Sequence, residues 1–569
     1  MKFSQTNLNI GLATALCFWV AVNTVTAKEL TLDDLFPHDR VLDVQITVAD
    51  KDWDTIRHQS RDFVSALHES RKVKPPDSPY TYVDASVTID GVEFPEVGLR
   101  KKGFLGSQST TRPSLKIKLN HTNKKAGIDG MTNLTFNNNQ EDVSLVNQFM
   151  GYALFNAAGS PAPRCAYARV TVNGENLGVY SHVERVRDNL LKRGFGTDKG
   201  TLYEATLVDF YEGWEGSFER KRGKDKPGRK KIKQLIKVLA SNVENIEKAI
   251  EELVDLNSFY TFWAIEGLLG SPDGYSGLAN NYFIYLNPET DKFHFIPWGA
   301  DSIFTKVTKE SDPRAPLSVK TRGLIAHRLY QTPSGRERYR KTLHGILDKH
   351  WDEEKLLAEI DRIEAMLKPH SAGSQLKFGR ALQRTREFIR QRRDDIINET
   401  ADGMPEWKKA PSGPIMIASV GTIRTKFTAK FFETSPRNGT GLGQVKFELN
   451  MAGKKVELQN LGVHASWAGG KGKTGKREIA IGFVGERVDN GEKLSFYLTI
   501  NEDKFKVDED PIQSEGKIVT DDGLSVRGLT KLTAVSLDEG GKVEGEFEGE
   551  IMEMKGVDGG KTKPNSKGK

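Results

Sequence analysis

The sequence predicts an α+β protein in two parts: a two-lobed mixed domain over residues 28–402 and an all-β sandwich or small barrel over 415–556. Three observations predict it. Before residue 400, alternating apolar–polar strands are interrupted by stretches with helical periodicity, the longest at 353–367 and 376–397. Past a linker rich in Pro and Gly at 403–414 that periodicity stops, and short alternating runs divided by Gly and charged turns take over. The chain of 569 residues is 37% hydrophobic and 28% charged, which is globular composition with room for several domains.

The net charge of +6 is small for this length and points to no class of partner. Residues 1–27 read as a secretory signal, with Lys2, an apolar run at 10–22 and the small residues Val25-Thr26-Ala27 before Lys28. Roughly thirteen apolar residues are too few for a comfortable membrane span. No other stretch is apolar enough to cross a bilayer, so the mature chain is expected outside the cytoplasm: extracellular, periplasmic or at the cell surface. Cys17 leaves with the signal. Cys165 alone then remains, which excludes an internal disulfide.

From the N-terminus, residues 41–48 alternate as a half-buried strand, and a short helix opens at Asp52. Strands at 82–89 and 92–100 flank the hairpin turn Asp90-Gly91. A loop rich in Gly, Ser and Thr follows, from Gly103 to Arg112, and leads into a strand at 115–119. Leu115, Ile117 and Leu119 share one face of that strand, which leaves Lys116 and Lys118 on the other. Such a loop can cradle phosphates while Arg100, Lys102, Lys116 and Lys118 neutralise their charge. The same pattern also suits a solvated hairpin with lysines on its wet face. Residues 142–158 read as a helix, 169–184 as a hairpin about Asn173-Gly174, and 188–193 as a short helix. Residues 215–233 are crowded with Lys and Arg but carry no interleaved aromatic residue beyond Phe218. They read as a solvated loop, with docking of an acidic substrate second, rather than as a nucleic-acid surface. A core helix begins near Asp255.

The stretch that carries chemistry runs from Asp273 to Asp301. An acidic loop leads through Asn280-Asn281 into an aromatic strand at 282–286, a turn at Asn287-Pro288, a second strand at 293–296, and Pro297-Trp298-Gly299-Ala300-Asp301. The hairpin returns Asp301 to the end that holds Asp273, Asn280 and Asn281. Asp, Asn, hairpin, Asp is the layout of a phosphoryl-transfer centre, in which one acid receives the acceptor proton and the others hold Mg²⁺. As loop formers, the same residues would need no such role.

The chain resembles the spore coat protein H (CotH) family of atypical kinases. The resemblance rests on Val97-Gly-Leu-Arg100-Lys-Lys102-Gly103, the basic strand Arg112-Pro-Ser-Leu-Lys116-Ile-Lys118, Val172-Asn173-Gly174, Gly178-Val-Tyr180 with Glu184, Thr201-Leu202-Tyr203 and the Asp273–Asp301 stretch. It implies a two-lobed atypical protein-kinase-like fold. It also implies an exported enzyme that uses ATP with Mg²⁺ or Mn²⁺ to phosphorylate Ser or Thr of a protein substrate. On that reading Asp273 is the catalytic acid, and Asp301 with Asn280 or Asn281 holds the metal. Arg100, Lys102, Gly103, Lys116 and Lys118 contact the ATP phosphates. Glu184 falls at the hinge or forms an ion pair, and Glu141 either pairs with one of the lysines or answers the helix dipole. Two departures stand out. Gly299 occupies a position where family members often carry a second carboxylate, and Phe104-Leu105-Gly106 replaces small polar residues.

The β region offers no catalytic constellation, so adhesion, substrate docking and capping all remain open for it. Residues 557–569 read as a disordered basic tail. The sequons at Asn120, Asn133, Asn398 and Asn438 matter only in a glycosylating host. Two readings stand beside the enzyme: a kinase-fold scaffold without transfer, and an exported surface or matrix protein.

Overall fold

A computed structural model describes residues 29–306, 314–370, 375–436, 439–471, 477–507, 510–519 and 524–556. The expected signal at 1–27, the tail at 557–569 and the sequon Asn438 lie outside the described residues. The chain is a mixed α/β protein with several sheets. No helix among the described residues is long and apolar enough to cross a membrane.

The first part is β1 (Val41–Val48), α1 (Asp50–His58), α2 (Phe63–Leu67), β2 (Val83–Ile89), β3 (Val92–Lys102), β4 (Ser114–Lys118), β5 (Asn133–Asn137), α3 (Asn147–Ala157), β6 (Cys165–Val172) and β7 (Glu175–Val183). Its strands close into a barrel in the order β1-β2-β3-β4-β5-β7-β6, where hairpins alone were expected. Closure comes from a parallel pairing of β1 with β6, Val41 opposite Tyr167, which periodicity within one segment cannot reveal. Inward residues of every strand, such as Val44, Leu99, Ile117, Leu134 and Val170, fill its core. The helix expected at 142–158 starts five residues later. Asp142 instead ends the loop before it, its carboxylate accepting from the backbone N–H of Ser144 and of Asn147, the first helical residue (both 2.9 Å).

His182 on β7 is fully buried between Phe36 and Phe136, with ring centroids 4.8 and 4.9 Å away. Burial pushes its imidazole down to about 4. The folded state thus holds a neutral ring that charges readily once unfolded, so stability should be lost as pH falls from about 6.5 towards 4. About 3 kcal/mol is at stake. Denaturant titrations at pH 7 and pH 4.5 should show this slope, and His182→Phe should flatten it.

The second part holds α4 (Asp188–Phe195), β8 (Thr201–Ala205), β9 (Glu219–Arg222), α5 (Asp225–Ala240), α6 (Ile246–Glu251), α7 (Leu256–Leu269), α8 (Tyr275–Leu278), β10 (Tyr282–Asn287), β11 (Lys292–Pro297), α9 (Leu324–Tyr330), α10 (Pro333–His350), α11 (Glu353–Leu367) and α12 (Gln375–Glu399). A sheet in the order β11-β10-β8-β9 lies against the helices. The buried aromatics Phe259, Phe262 and Trp263 of α7 belong to their shared core. Residues 215–233 are not the solvated loop expected. They form β9 and the first half of α5, where Pro227 sits in the first turn, which tolerates it. Ile232 and Leu235 anchor that helix in the core.

The third part is β12 (Met416–Phe432), β13 (Gln444–Met451), β14 (Lys454–Val456), β15 (Leu458–Lys471), β16 (Arg477–Arg487), β17 (Lys493–Asn501), β18 (Ile512–Val519), β19 (Ser525–Val535) and β20 (Lys542–Lys555). The long β12 pairs along its length with β20 and, at residues 430–432, parallel to β15, so this sheet closes on itself as a barrel. All its other pairings are antiparallel. The strands that alternation predicts at 445–449, 478–483, 493–500 and 543–552 lie within β13, β16, β17 and β20, whereas the one it predicts at 456–458 straddles the junction of β14 and β15. Its core is separate from the other two.

Candidate active site

A cleft of about 550 Å³ opens between the first barrel and the second part. Asp273, Asn280, Asn281 and Asp301 line it from below, and Arg100, Lys102, Gly103 and Lys116 from the barrel side.

The floor is assembled locally. Asp255 caps α7 by accepting from Ser258 N–H (2.9 Å), and the helix ends at Gly270 in the left-handed region (φ 61°). The buried Glu266 carboxylate accepts from the backbone N–H of Tyr275 (2.8 Å) and Ser276 (2.7 Å), which fixes the loop carrying Asp273. Burial pushes this carboxyl up to about 7, against the pull of those bonds. Asn280 and Asn281 donate to the two Asp273 oxygens at 3.2 and 3.0 Å. The β10–β11 hairpin, Tyr282 opposite Pro297, brings Asp301 back beside them, and Trp298 N–H donates to Asn281 C=O (3.0 Å). Asn147 at the start of α3 donates to the Asp301 carbonyl at 2.6 Å. The Asp301 carboxyl is pushed up to about 7 by burial first, then by Glu141, Asp273 and Asp142. Negative charge is thus in local excess.

The roof is its counterpart. Burial lowers Lys102 to about 8, with Asp301 and Glu204 opposing; its Nζ donates to Asn137 Oδ1 and lies 5.7 Å from the Trp298 ring centre. Lys116 is lowered to about 6 by burial first, then by Arg185, Arg100, Lys221 and Lys102. Among the described residues no carboxylate lies within ion-pair distance of Lys116. Arg185, Lys221 and Asn137 were not expected here. Arg185 lies two residues past the end of β7, and Lys221 sits on the unexpected β9, where it pairs with Glu204 (2.5 Å) and Glu219 (2.7 Å). In a four-residue strand that reads Glu-Arg-Lys-Arg, alternation does not set Lys221 apart from its neighbours.

One expected contact falls elsewhere, and of the two uses expected for Glu184 the ion pair is the one observed. Lys118 is not part of the cleft lining; its Nζ stands 5.7 Å from the Tyr82 ring centre, because two residues along β4 carry it past the cleft edge. Glu184 also lies outside the lining, fully buried, and pairs with Arg193 (2.6 Å) while accepting from Arg164 N–H (2.9 Å). Glu141 does line the cleft, but it accepts from Ser302 Oγ (3.3 Å) rather than pairing with a lysine. Gly106 approaches it so closely that a Cβ there would fall 1.7 Å from Glu141 Oε1. A side chain larger than hydrogen at 106 would therefore displace the carboxylate.

Gly299 has φ 55°, and a Cβ there would meet the Asn281 amide at 2.7–2.9 Å. Restoring a carboxylate by Gly299→Asp should therefore push Asn281 off Asp273 and strain the backbone. It should cost about 1–3 kcal/mol and fail to tighten Mn²⁺ binding, as thermal unfolding with and without Mn²⁺ would show. Asp273, Asp301, Glu141 and Asn281 line the cleft with hard oxygens of the kind that fits Mg²⁺ or Mn²⁺, whereas the Asn280 amide oxygen is taken by Leu207 N–H (2.9 Å). Among the described residues no three His, Cys, Asp or Glu close on one point, so an amide oxygen or water has to complete any such set.

Comparison with known proteins places this geometry in a family. Residues 99–396, from the strand before the glycine-rich loop to the end of α12, match the family model described as CotH kinase protein. Inner spore coat protein H of Bacillus subtilis (strain 168) is 23% identical over 282 residues, covering 46% of this chain and 77% of that protein. Inner spore coat protein H-like protein of the same organism is 22% identical over 228 residues, 40% of this chain and 65% of that protein. The matched segment is more than half of the chain and contains both acids, the hairpin between them and the basic strands above, and the chain belongs to the CotH kinase protein family.

Proposed function

We propose that this chain is an exported, two-lobed atypical protein kinase that transfers the γ-phosphate of ATP to Ser or Thr hydroxyls of extracellular or envelope proteins. One observation carries the reading: a floor with excess negative charge faces a cationic roof across a single cleft. A polyphosphate with a divalent cation supplies what each side lacks, charge for the roof and counter-charge for the floor.

Asp273, held by Asn280 and Asn281, orients the acceptor hydroxyl and takes its proton as the new O–P bond forms and the bond from the γ-phosphorus to the bridging oxygen breaks. Asp301, with Asn281 and Glu141, would hold Mg²⁺ or Mn²⁺, which would neutralise phosphate charge. Lys102, Lys116, Arg100 and Arg185 bind the phosphates. Gly299, which leaves the floor one carboxylate fewer than the pattern it resembles, favours the second reading, a scaffold that binds nucleotide without transfer. Purified protein with labelled ATP and Mn²⁺ or Mg²⁺ separates the two: incorporated label supports the kinase, and nucleotide binding without label supports the scaffold. Absence of nucleotide binding rejects both and leaves a surface protein.

A further inference from the structure

One wall of the cleft is backed by a part of the chain outside the kinase-family segment. Phe104 and Leu105 of the glycine-rich loop, Leu207, and Leu278 of α8 line the cleft and also pack against a buried apolar cluster. That cluster is Leu67 of α2 with Ile415, Ile417 and Met552 of the C-terminal barrel. The apolar Phe104-Leu105 pair, out of place in a phosphate cradle, thus has a partner.

A hydrogen-bonded line runs beside the apolar seam. Arg71 is 3% exposed, and among the described residues no carboxylate lies within ion-pair distance of it. Its Nη1 donates to Ile415 C=O (3.2 Å), and its Nη2 to Thr206 C=O (2.6 Å) and Leu207 C=O (2.9 Å). Leu207 N–H donates to Asn280 Oδ1 (2.9 Å), and Asn280 Nδ2 donates to Asp273 Oδ1 (3.2 Å). The entry to the barrel is therefore joined to Asp273 through Arg71, Leu207 and Asn280. A buried guanidinium satisfied by carbonyls of separate segments fixes those segments to one another, because either one loses a charge-assisted bond if it moves. At the rim, Arg527 of β19 pairs with Asp62 at the N-cap of α2 and donates to Ser65 Oγ (3.2 Å).

We propose that the C-terminal barrel is a buttress behind the cleft wall, seating the glycine-rich loop on its apolar edge and, through the positioning residue Arg71, fixing the Asn280–Asp273 pair. The barrel thereby sets loop closure and phosphate affinity.

The test uses the full chain and breaks the seam reversibly. Asp62→Arg and Arg527→Asp each oppose like charges at the rim, their combination restores the pair with its polarity reversed, and Ile417→Asp puts a carboxylate in the seam. Hydrogen exchange at residues 103–107 and 206–207 is read together with binding of a fluorescent ATP analogue. Each single variant should raise exchange at 103–107 at least tenfold and weaken the analogue about tenfold, and the charge-swapped pair should recover both. Unchanged exchange at 103–107 in all three single variants overturns the proposal, as does a swapped pair that recovers neither readout. Exchange needs no nucleotide, so a protein that does not bind the analogue sinks the kinase reading while this readout still decides the role of the barrel.

Discussion

Asp273→Ala should lower phosphate transfer by about 10²–10⁴-fold, the usual worth of a positioned proton acceptor, and leave nucleotide affinity nearly unchanged. Asp301→Asn should lower transfer by a similar factor but act differently on binding, since it removes the anion nearest the proposed cation. Affinity for Mn²⁺ should fall in that variant while affinity for metal-free nucleotide holds or improves. The two variants also differ in stability. Asp301 is half-buried beside Glu141, Asp273 and Asp142, so removing its charge relieves repulsion and should raise the melting temperature of the unliganded protein. Asp273 accepts from two amides, and truncating it leaves buried donors unpaired, so Asp273→Ala should lower the melting temperature. Label transfer, Mn²⁺ titration and melting curves of the same three proteins check all of this. Wild-type transfer that survives in both variants would remove Asp273 and Asp301 from the mechanism.

The second large effect is a proton taken up with the phosphates. At pH 8 Lys116 is held neutral by burial and by the cations around it, with its ammonium lowered to about 6. An anion placed among Lys116, Arg185 and Arg100 repays that desolvation and raises the group again. The sign follows: binding takes up about one proton, so affinity falls as pH rises above about 6, approaching tenfold per pH unit until the value of the bound state is reached. Calorimetry at pH 8 in buffers of different ionisation enthalpy should report that uptake. Lys116→Met should remove most of the uptake, leaving the smaller part that Lys102, lowered to about 8, contributes at pH 8, and should weaken nucleotide binding at pH 6 far more than at pH 9. A buffer-independent enthalpy in the wild-type protein would place the phosphates away from Lys116.

The elements legible from the residues are those whose pattern is contained within one segment. Val41–Val48 alternates because one face is buried, and Glu353–Leu367 carries a single apolar stripe; in both, the periodicity gives the bounds of the element as observed. The Tyr282–Pro297 hairpin was legible from its aromatic strands and Asn-Pro turn. It alone returns Asp301 to Asp273, so the acidic floor could be anticipated. What stayed hidden depends on partners distant in sequence. The β1–β6 pairing, the closure of β12 on β15 and β20, and Arg185 and Lys221 in the roof all join segments whose local patterns are silent about each other. The basic run at 215–233 misleads because its buried apolar side chains, Phe218 and Ile232, are sparse among cations that the helix turns outward.

By itself the sequence determined the α+β class, the pairing of Asp273 with Asp301 through a hairpin, and the basic strand that faces them. Each rests on short-range regularities: side-chain alternation, helical periodicity and turn chemistry. Only the tertiary structure decided that Lys116 reaches the cleft and Lys118 does not, that Glu184 is spent on Arg193, and that Phe104 and Leu105 rest on a barrel more than three hundred residues away in sequence. Those outcomes turn on which buried surface each side chain finds, and burial is a property of the folded chain as a whole.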